Sequence, residues 1–373
     1  MLLSLFCGAG GLDLGFEAAG FEIGLAFDKK LDSILSYNRN RKDQRGHCED
    51  VQALTLDRLD ELWGSEFRPS GVIGGPPCQS FSKANRSPDE DDPRHQLPLV
   101  YAGLLARLNE RNPLSFFVLE NVPGLAGADH RHRLEELVAR LEAAGFAVEQ
   151  RVLNAHDFAT PQKRDRLFLV GINRTLAGTA GWQWPEADPA DACLTVQKTI
   201  SHLPEPAFFQ RGLAPELIPH HPNHWCMKPK SRRFFEPGAL IAGDASHRSF
   251  KTLAWDRPSI TVAYGNREVH VHPNCQRRLS VYEAMLLQGF PPDYVLTGSL
   301  SSQIAQVSEA VPPPLAEAVA RAVLAALSRA AQPSHISGAG PTRHEAAGGR
   351  ARQARTAIRQ RHSWRRQAAA PSR

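Results

Sequence analysis

The sequence predicts an α/β fold, a parallel sheet covered by helices on both faces and interrupted by a smaller, mostly β or irregular insertion. Three observations carry that prediction. Residues 1–172 alternate short apolar runs with amphipathic segments, and this βαβα order is the pattern of a sheet with helices on each side. Glycine-rich turns follow two of the apolar runs, where open sheets of this kind bind ligands. Residues 173–275 then turn to Pro, His, Trp and Arg with little helical period, and helical spacing returns only at 280.

Taken in order, strands are expected at 2–6, 23–27, 72–73, 116–119, 148–153 and 167–172, segments rich in Val, Ile, Leu or Phe. Helices are expected at 31–37, 54–62, 97–108 and 132–144, where apolar residues recur three and four apart. Inside the insertion, alternation at 259–264 and 268–272 suggests short strands joined by long loops. Helical pattern at 280–288, and a strong amphipathic helix at 315–327 just after three prolines, return the chain to its first domain. The expected organisation is a principal domain of 1–172 and 276–330, an inserted domain of 173–275 and a tail of 331–373.

The 373 residues are 42% apolar and 22% charged, enough to build a sizeable core. No apolar run approaches the roughly 18 residues that span a bilayer, and the start MLLSLFCGAGG has neither a basic segment nor a small-residue cleavage site. A soluble, cytoplasmic protein is expected. Cysteines at 7, 48, 78, 193, 226 and 275 form no CxxC pair, which fits free thiols better than a disulfide framework or a zinc knuckle. Histidines cluster at His220, His221 and His224 and at His270 and His272, but further ligands cannot be placed and no metal is expected. The net charge of +5 is concentrated in the tail: residues 343–373 hold nine arginines and one glutamate, leaving 35 basic and 38 acidic residues elsewhere. Such a tail is expected to be disordered, and either adds salt-sensitive affinity for nucleic acid or is an idle extension.

Chemistry concentrates in three short stretches. SLFCGAGGLDLGF (4–16) runs from a strand through a glycine turn into a helix, a geometry that lets backbone close around a nucleotide-like ligand. It fits the dinucleotide fingerprint only in part, because Asp13 stands where the third glycine belongs. Asp28 ends the second strand and Asp50 the next segment; two carboxylates without a paired lysine suit a ribose and an exocyclic amine better than phosphates. GGPPCQSFS (74–82) places Cys78 behind two prolines and two glycines at a strand end, a stiff arm aimed in a defined direction. Glu120, directly after the apolar run 116–119, would share its pocket, and a thiolate with a carboxyl can attack a ring and handle its proton. In TPQKRDR (160–166), Arg164 and Arg166 are two apart, so an extended segment points both to one face, which either is the pocket holding Glu120 or leaves Arg166 structural. An arginine there would lower a nearby thiol pKa.

These stretches, with ENV (120–122), RRLSVYEAMLLQGFP (277–291) and AVPPPLAEA (310–318), resemble the DNA (cytosine-5) methyltransferases in content and order over residues 2–327. The resemblance implies a Rossmann-like sheet that binds S-adenosyl-L-methionine. It implies Cys78 as the nucleophile that adds to C6 of a cytosine flipped from the duplex, Glu120 holding N3 and the exocyclic amine, and Arg164 contacting the base or orienting thiol and carboxylate. Phe6, Gly8, Gly10, Gly11 and Asp50 map to the cofactor site. Gln79, Ser82 and Arg166 are placed near the DNA. The insertion corresponds to the target-recognition region, with Lys228, Lys230, Arg232, Arg233 and Arg267 expected at phosphates or guanine edges. PPC rather than an aromatic after the prolines favours carbon over amine methylation. Two departures stand out. Ala26 occupies a position often held by glutamate, so that either Asp28 takes the ribose contact or the contact is absent; and Ser308-Glu309 replaces the usual Gly-Asn.

The function implied is site-specific methylation of duplex DNA, as the modification enzyme of a restriction-modification system whose endonuclease acts on the same site without a stable complex. Two other readings keep the same fold: a transfer-RNA cytosine-5 methyltransferase, and a non-catalytic DNA-binding protein. Substrate comparison separates the first, and adenosylmethionine binding the second.

Overall fold

In the computed structural model, which describes residues 1–77, 93–176, 181–188, 193–246, 249–261 and 269–331, all six expected strands form and a seventh joins them. They are β1 (Leu2–Leu5), β2 (Ile23–Asp28), β3 (Gly46–Cys48), β4 (Gly71–Gly74), β5 (Phe116–Asn121), β6 (Phe146–Asn154) and β7 (Asp165–Asn173). The sheet order is β3-β2-β1-β4-β5-β7-β6. The first five strands run parallel, whereas β7 is antiparallel to both β5 and β6. The expected all-parallel sheet is corrected on this edge. Residues 155–164, which join β6 to β7, hold only a single-turn helix, Ala155–Phe158, too short for a parallel crossover.

The strand order reverses between β1 and β4, so the loops after these two strands open at the switch point of the sheet. Helices α1 (Gly11–Ala18), α2 (Leu31–Arg39), α3 (Leu56–Trp63), α4 (Leu97–Arg111) and α5 (Arg131–Ala143) connect the strands. After the insertion, which contains α6 (Val196–Ile200), come α7 (Val281–Leu287), α8 (Leu300–Glu309) and α9 (Pro313–Ala330).

Alternation along the strands divides the core between the two faces. Leu2 packs with Phe16 of α1 and Leu315, Val319 and Val323 of α9, while Leu3 and Leu5 pack with Leu59, Tyr101, Leu105 and Leu137 of α3, α4 and α5. Each fully buried aliphatic chain of this kind contributes about 1.5–3 kcal/mol. The glycines of α1 are set by this packing. A Cβ on Gly11 would lie 2.3 Å from the Val311 carbonyl, and one on Gly15 would lie 2.4 Å from Ala316 Cβ. By length and composition the stretch Leu300–Ala330 qualifies as a membrane span, contrary to the reading of the sequence. The chain turns at Val311-Pro312, however, and α9 spends its apolar face against α1.

The insertion is chiefly irregular among the described residues. Its one ladder pairs β8 (Ala207–Phe208) with β9 (Trp225–Cys226), and the expected strand at 259–264 is represented by a single bridge, Ser259 to Gln162; residues 262–268 lie outside the described residues. Trp225, Leu279, Met285, Tyr294 and Val307 form a third cluster with Ala9 of the glycine turn. The insertion, α7 and α8 thereby share a core with the loop after β1, and Met1–Pro333 is one compact unit.

Candidate active site

The loop after β1 is shaped by three left-handed residues, Phe6 (φ 56°), Gly8 (φ 54°) and Gly10 (φ 86°). Phe6 has a Cβ and therefore holds this conformation at a cost of about 1–2 kcal/mol. Its neighbours over-determine it. The Cys7 amide donates to the Phe27 carbonyl (3.0 Å), the Gly10 amide to the Cys7 carbonyl (2.8 Å), and the Tyr294 hydroxyl to the Ala9 carbonyl (2.5 Å). Beneath the loop, fully buried Asp13 accepts from Ser4 Oγ (2.7 Å) and Tyr37 Oη (2.8 Å), and burial lifts its pKa to about 6. Arg41 covers the Tyr37 ring at 3.7 Å and pairs with Glu17 at 2.7 Å. Asp13 thus braces the turn from below, which is why an acid occupies the place of a third glycine.

Asp28, the last residue of β2, faces the loop. Its carboxylate accepts from the Gly8 amide (3.0 Å) and the Lys30 amide (2.8 Å), and burial raises its pKa against these two bonds. Ala26, the position compared above with a glutamate, is fully buried in the core, so the acid at the mouth is Asp28. Asp50 is exposed just beyond β3, on the strand beside β2, and caps the turn Val51–Ala53 through the Gln52 amide (3.0 Å). The expectation of acids without a lysine needs correcting, because Lys30 stands there; its Nζ is held by both oxygens of Glu309 at 2.6 and 2.7 Å.

This donor set decides what the loop can hold. The Gly8 amide is already taken by the Asp28 carboxylate, and Glu309 adds a second acid that acts on Asp28, so a phosphate is disfavoured. A Cβ built on Gly8 meets nothing within 4 Å, which leaves a clear flank over the end of β1. The residues fit a phosphate-free adenosyl group with hydroxyl and cationic functions. The bare Cα of Gly11 admits the Val311 carbonyl of the chain leading into α9.

On the other side of the switch point, β4 and β5 pair in parallel, Gly74 opposite Leu119. Glu120 is therefore a residue of β5, not of the loop after it. Its side chain is about 10% exposed, and Oε1 meets Arg166 Nε at 2.7 Å. Burial raises the Glu120 pKa, with Arg166 and Arg164 pulling it down. The arm toward Cys78 is fastened directly to this strand. A Cβ on Gly75 would lie 2.9 Å from Glu120 Oε2, and Asn121 Nδ2 donates to the Pro76 carbonyl at 3.2 Å. Cys78, Gln79, Ser82 and Arg267 lie outside the described residues.

The two arginines take separate partners. Arg166, assigned above to DNA, carries the contact with Glu120. It stands two residues from Phe168, the partner opposite Glu120 in the β5/β7 ladder, and so on the same face. Arg164, assigned above to catalysis, is fully buried just before β7, and its Nη2 donates to the carbonyls of Ser308 (2.6 Å) and Ala310 (3.1 Å). Its charge also acts on Glu120 through space. Gln288 Nε2 donates to the same Ala310 carbonyl (2.6 Å) while Gln288 Oε1 accepts from Gln162 Nε2 (2.8 Å), so the turn between α8 and α9 is held from two sides. Lys30, Gly75 and Asn121 were missed by the sequence reading. The signals were present in GGPPC and ENV, but their mutual contact depends on strand order.

The insertion reaches this segment through main-chain bonds. The Lys163 amide donates to the Ser259 carbonyl (2.8 Å), the Ser259 amide to the Pro161 carbonyl (2.8 Å), and Thr261 Oγ1 to the Lys163 carbonyl (2.7 Å). Lys228, Lys230, Arg232 and Arg233 are exposed, with Arg233 over the Phe250 ring at 5.2 Å. The histidines serve packing: His221 stacks on Tyr282 at 4.0 Å, and burial lowers its pKa to about 4.

The profile of the C-5 cytosine-specific DNA methylases matches residues 1–325. Among similar curated proteins, the type II methyltransferase M.AplI of Arthrospira platensis is 32% identical, with 87% of this chain and 85% of the relative covered. M.MthTI of Methanothermobacter thermautotrophicus is 31% identical, with 86% and 96% covered. Among solved structures, an E. coli prophage-encoded protein described as a DNA modification methyltransferase superposes with a TM-score of 0.69 at 21% identity, covering 88% of this chain and 99% of that one. The sheet with its reversed seventh strand, the two loops at the switch point and the family match agree: this chain belongs to the C-5 cytosine-specific DNA methylases.

Proposed function

We propose that this chain transfers a methyl group from S-adenosyl-L-methionine to C5 of one cytosine in a specific duplex DNA site, as the modification enzyme of a restriction-modification system. The observation that carries the reading is the buried pair of Glu120 and Arg166 set against Gly75-Pro76, the arm that leads within two residues to Cys78. The type II methyltransferases among the relatives support the restriction-modification setting; a cytoplasmic location and an endonuclease that shares the site without a stable complex belong to the same proposal.

Cytosine C5 is a weak nucleophile. Addition of the Cys78 thiolate to C6, with a proton placed on N3, breaks the C5=C6 double bond and leaves an enamine across C4 and C5 whose C5 is electron-rich. Glu120 suits the N3 role because burial favours its protonated form, which can donate to N3, while Arg166 fixes Oε1 and so orients the carboxyl plane. When bound, the donor supplies an electrophilic methyl carbon. Afterwards a water takes the C5 proton, the electron pair of that C–H bond re-forms C5=C6 as the C6–S bond breaks and the thiolate is regenerated, and the N3 proton returns to Glu120. Phe6, Gly8, Gly10, Asp28 and Asp50 would hold the donor, with Asp28 at the ribose and Asp50 at the adenine amine. Gln79, Ser82 and the exposed basic residues of the insertion would face the DNA. Arg164 is assigned to positioning, through the turn after α8.

Bisulfite sequencing of DNA from a methylation-deficient host expressing the chain, beside a Cys78→Ser control, tests this. Protected cytosines in one short motif, absent from the control, are expected. Protection that persists in the control would refute the nucleophile, and no protection by soluble protein would refute duplex DNA as substrate.

A further inference from the structure

The departure at Ser308-Glu309 is matched by a second charged residue across the loop. Glu309 closes α8, on a turn pinned by Arg164 at Ser308 and Ala310, by Gln288 at Ala310, and by the close approach of Gly11 to Val311. Its carboxylate is therefore presented from rigid backbone. Lys30 follows Asp28, whose carboxylate holds both the Gly8 and Lys30 amides. Glu309 also acts electrostatically on Asp28, so the three charges share one mouth around the clear flank of Gly8. The side chains of Lys30 and Glu309 remain 45% and 42% exposed although they are paired. An exposed pair of this kind is weakly held and readily exchanges its partner for another charge.

We propose that Lys30 and Glu309 are the receptor for the amino-acid end of the methyl donor, Lys30 taking its carboxylate and Glu309 its ammonium. A zwitterion offers each residue the charge it now finds in the other, so binding replaces one ion pair with two charge-assisted contacts. Each Asp28 oxygen accepts one amide and keeps a second lone pair for the sugar. This inference rests on the function proposed above.

The test is calorimetric titration of the full chain and its Lys30→Met and Glu309→Gln variants with two ligands. S-adenosylhomocysteine has the amino-acid end, and methylthioadenosine lacks it. Each variant is expected to bind S-adenosylhomocysteine roughly tenfold more weakly, to bind methylthioadenosine as wild type does, and to melt at the wild-type temperature. Lys30→Arg is expected to retain most of the affinity. Unchanged S-adenosylhomocysteine affinity in the variants would overturn the inference, as would tighter binding, which would make the pair a barrier. An equal loss for both ligands would do so too, because it would make the role structural. A wild-type chain that binds neither ligand would overturn the cofactor reading as well, whereas wild-type binding with indifferent variants would remove this inference alone.

Discussion

Replacing Arg166 with methionine isolates the buried pair on which the site depends. The two side chains are 11% and 10% exposed and meet at 2.7 Å, so the substitution leaves a carboxylate in a poorly solvated place. Breaking such a pair costs about 3–5 kcal/mol when the orphaned charge has no escape. Glu120 has one, since it can take up a proton. Burial already raises its pKa, and loss of Arg166, the largest influence opposing that rise, raises it further. A folded-state pKa above the unfolded one means that the native protein binds more protons, so stability is retained at low pH and lost as pH rises through the folded pKa. Arg166→Met is therefore expected to cost about 3 kcal/mol at pH 8 and less than half of that near pH 5. Adding Glu120→Gln to it should recover most of the loss at pH 8, because no charge remains to be buried. Urea unfolding of wild type, both single variants and the double variant at the two pH values supplies the cycle. An equal loss at both pH values, or additive single losses in the double variant, would refute the account of the pair.

Two further perturbations probe the glycine loop. Asp13 titrates near 6 in the folded state against an ordinary value of 3.8, so its contribution to stability is full below about pH 4 and falls by about 3 kcal/mol as pH rises through 6. Asp13→Asn should remove that slope, and the difference between the two unfolding curves from pH 4 to pH 7 measures it. Gly11→Ala forces a Cβ to within 2.3 Å of the Val311 carbonyl, so backbone must move and the thermal midpoint should fall by an amount equivalent to about 2–3 kcal/mol. A wild-type midpoint would show that the entry to α9 can yield.

Much of the frame was legible because strands and helices each bury one stripe. The runs at 2–6, 23–27 and 116–119 and the helix at 315–327 declare their period locally. Gly46–Cys48 did not, since three residues without an apolar run owe their strand to the edge of β2. The reversal of β7 was hidden for a related reason: it depends on a missing helix rather than on any residue in the strand. The site was half legible. Glu120 sits at a strand end that chain order reveals, and Gly75-Pro76 leads on from the end of β4, but the choice between Arg164 and Arg166 depends on where the ladder begins, at Asp165. The pairing of Lys30 with Glu309 spans 279 residues, and no local pattern could have announced it.

The bonds that join Ser259 and Thr261 to Pro161 and Lys163 bear on how such enzymes change targets. They end one residue from Arg164, so the seam between the insertion and the sheet lies beside the residues that brace the pocket. A specificity segment grafted from a relative must carry this seam intact or splice on its far side. Swaps cut inside it would exchange the reader and loosen the chemistry together. Three hydrogen bonds among the described residues thus set where this insertion can be cut without loosening the bracing of Arg164.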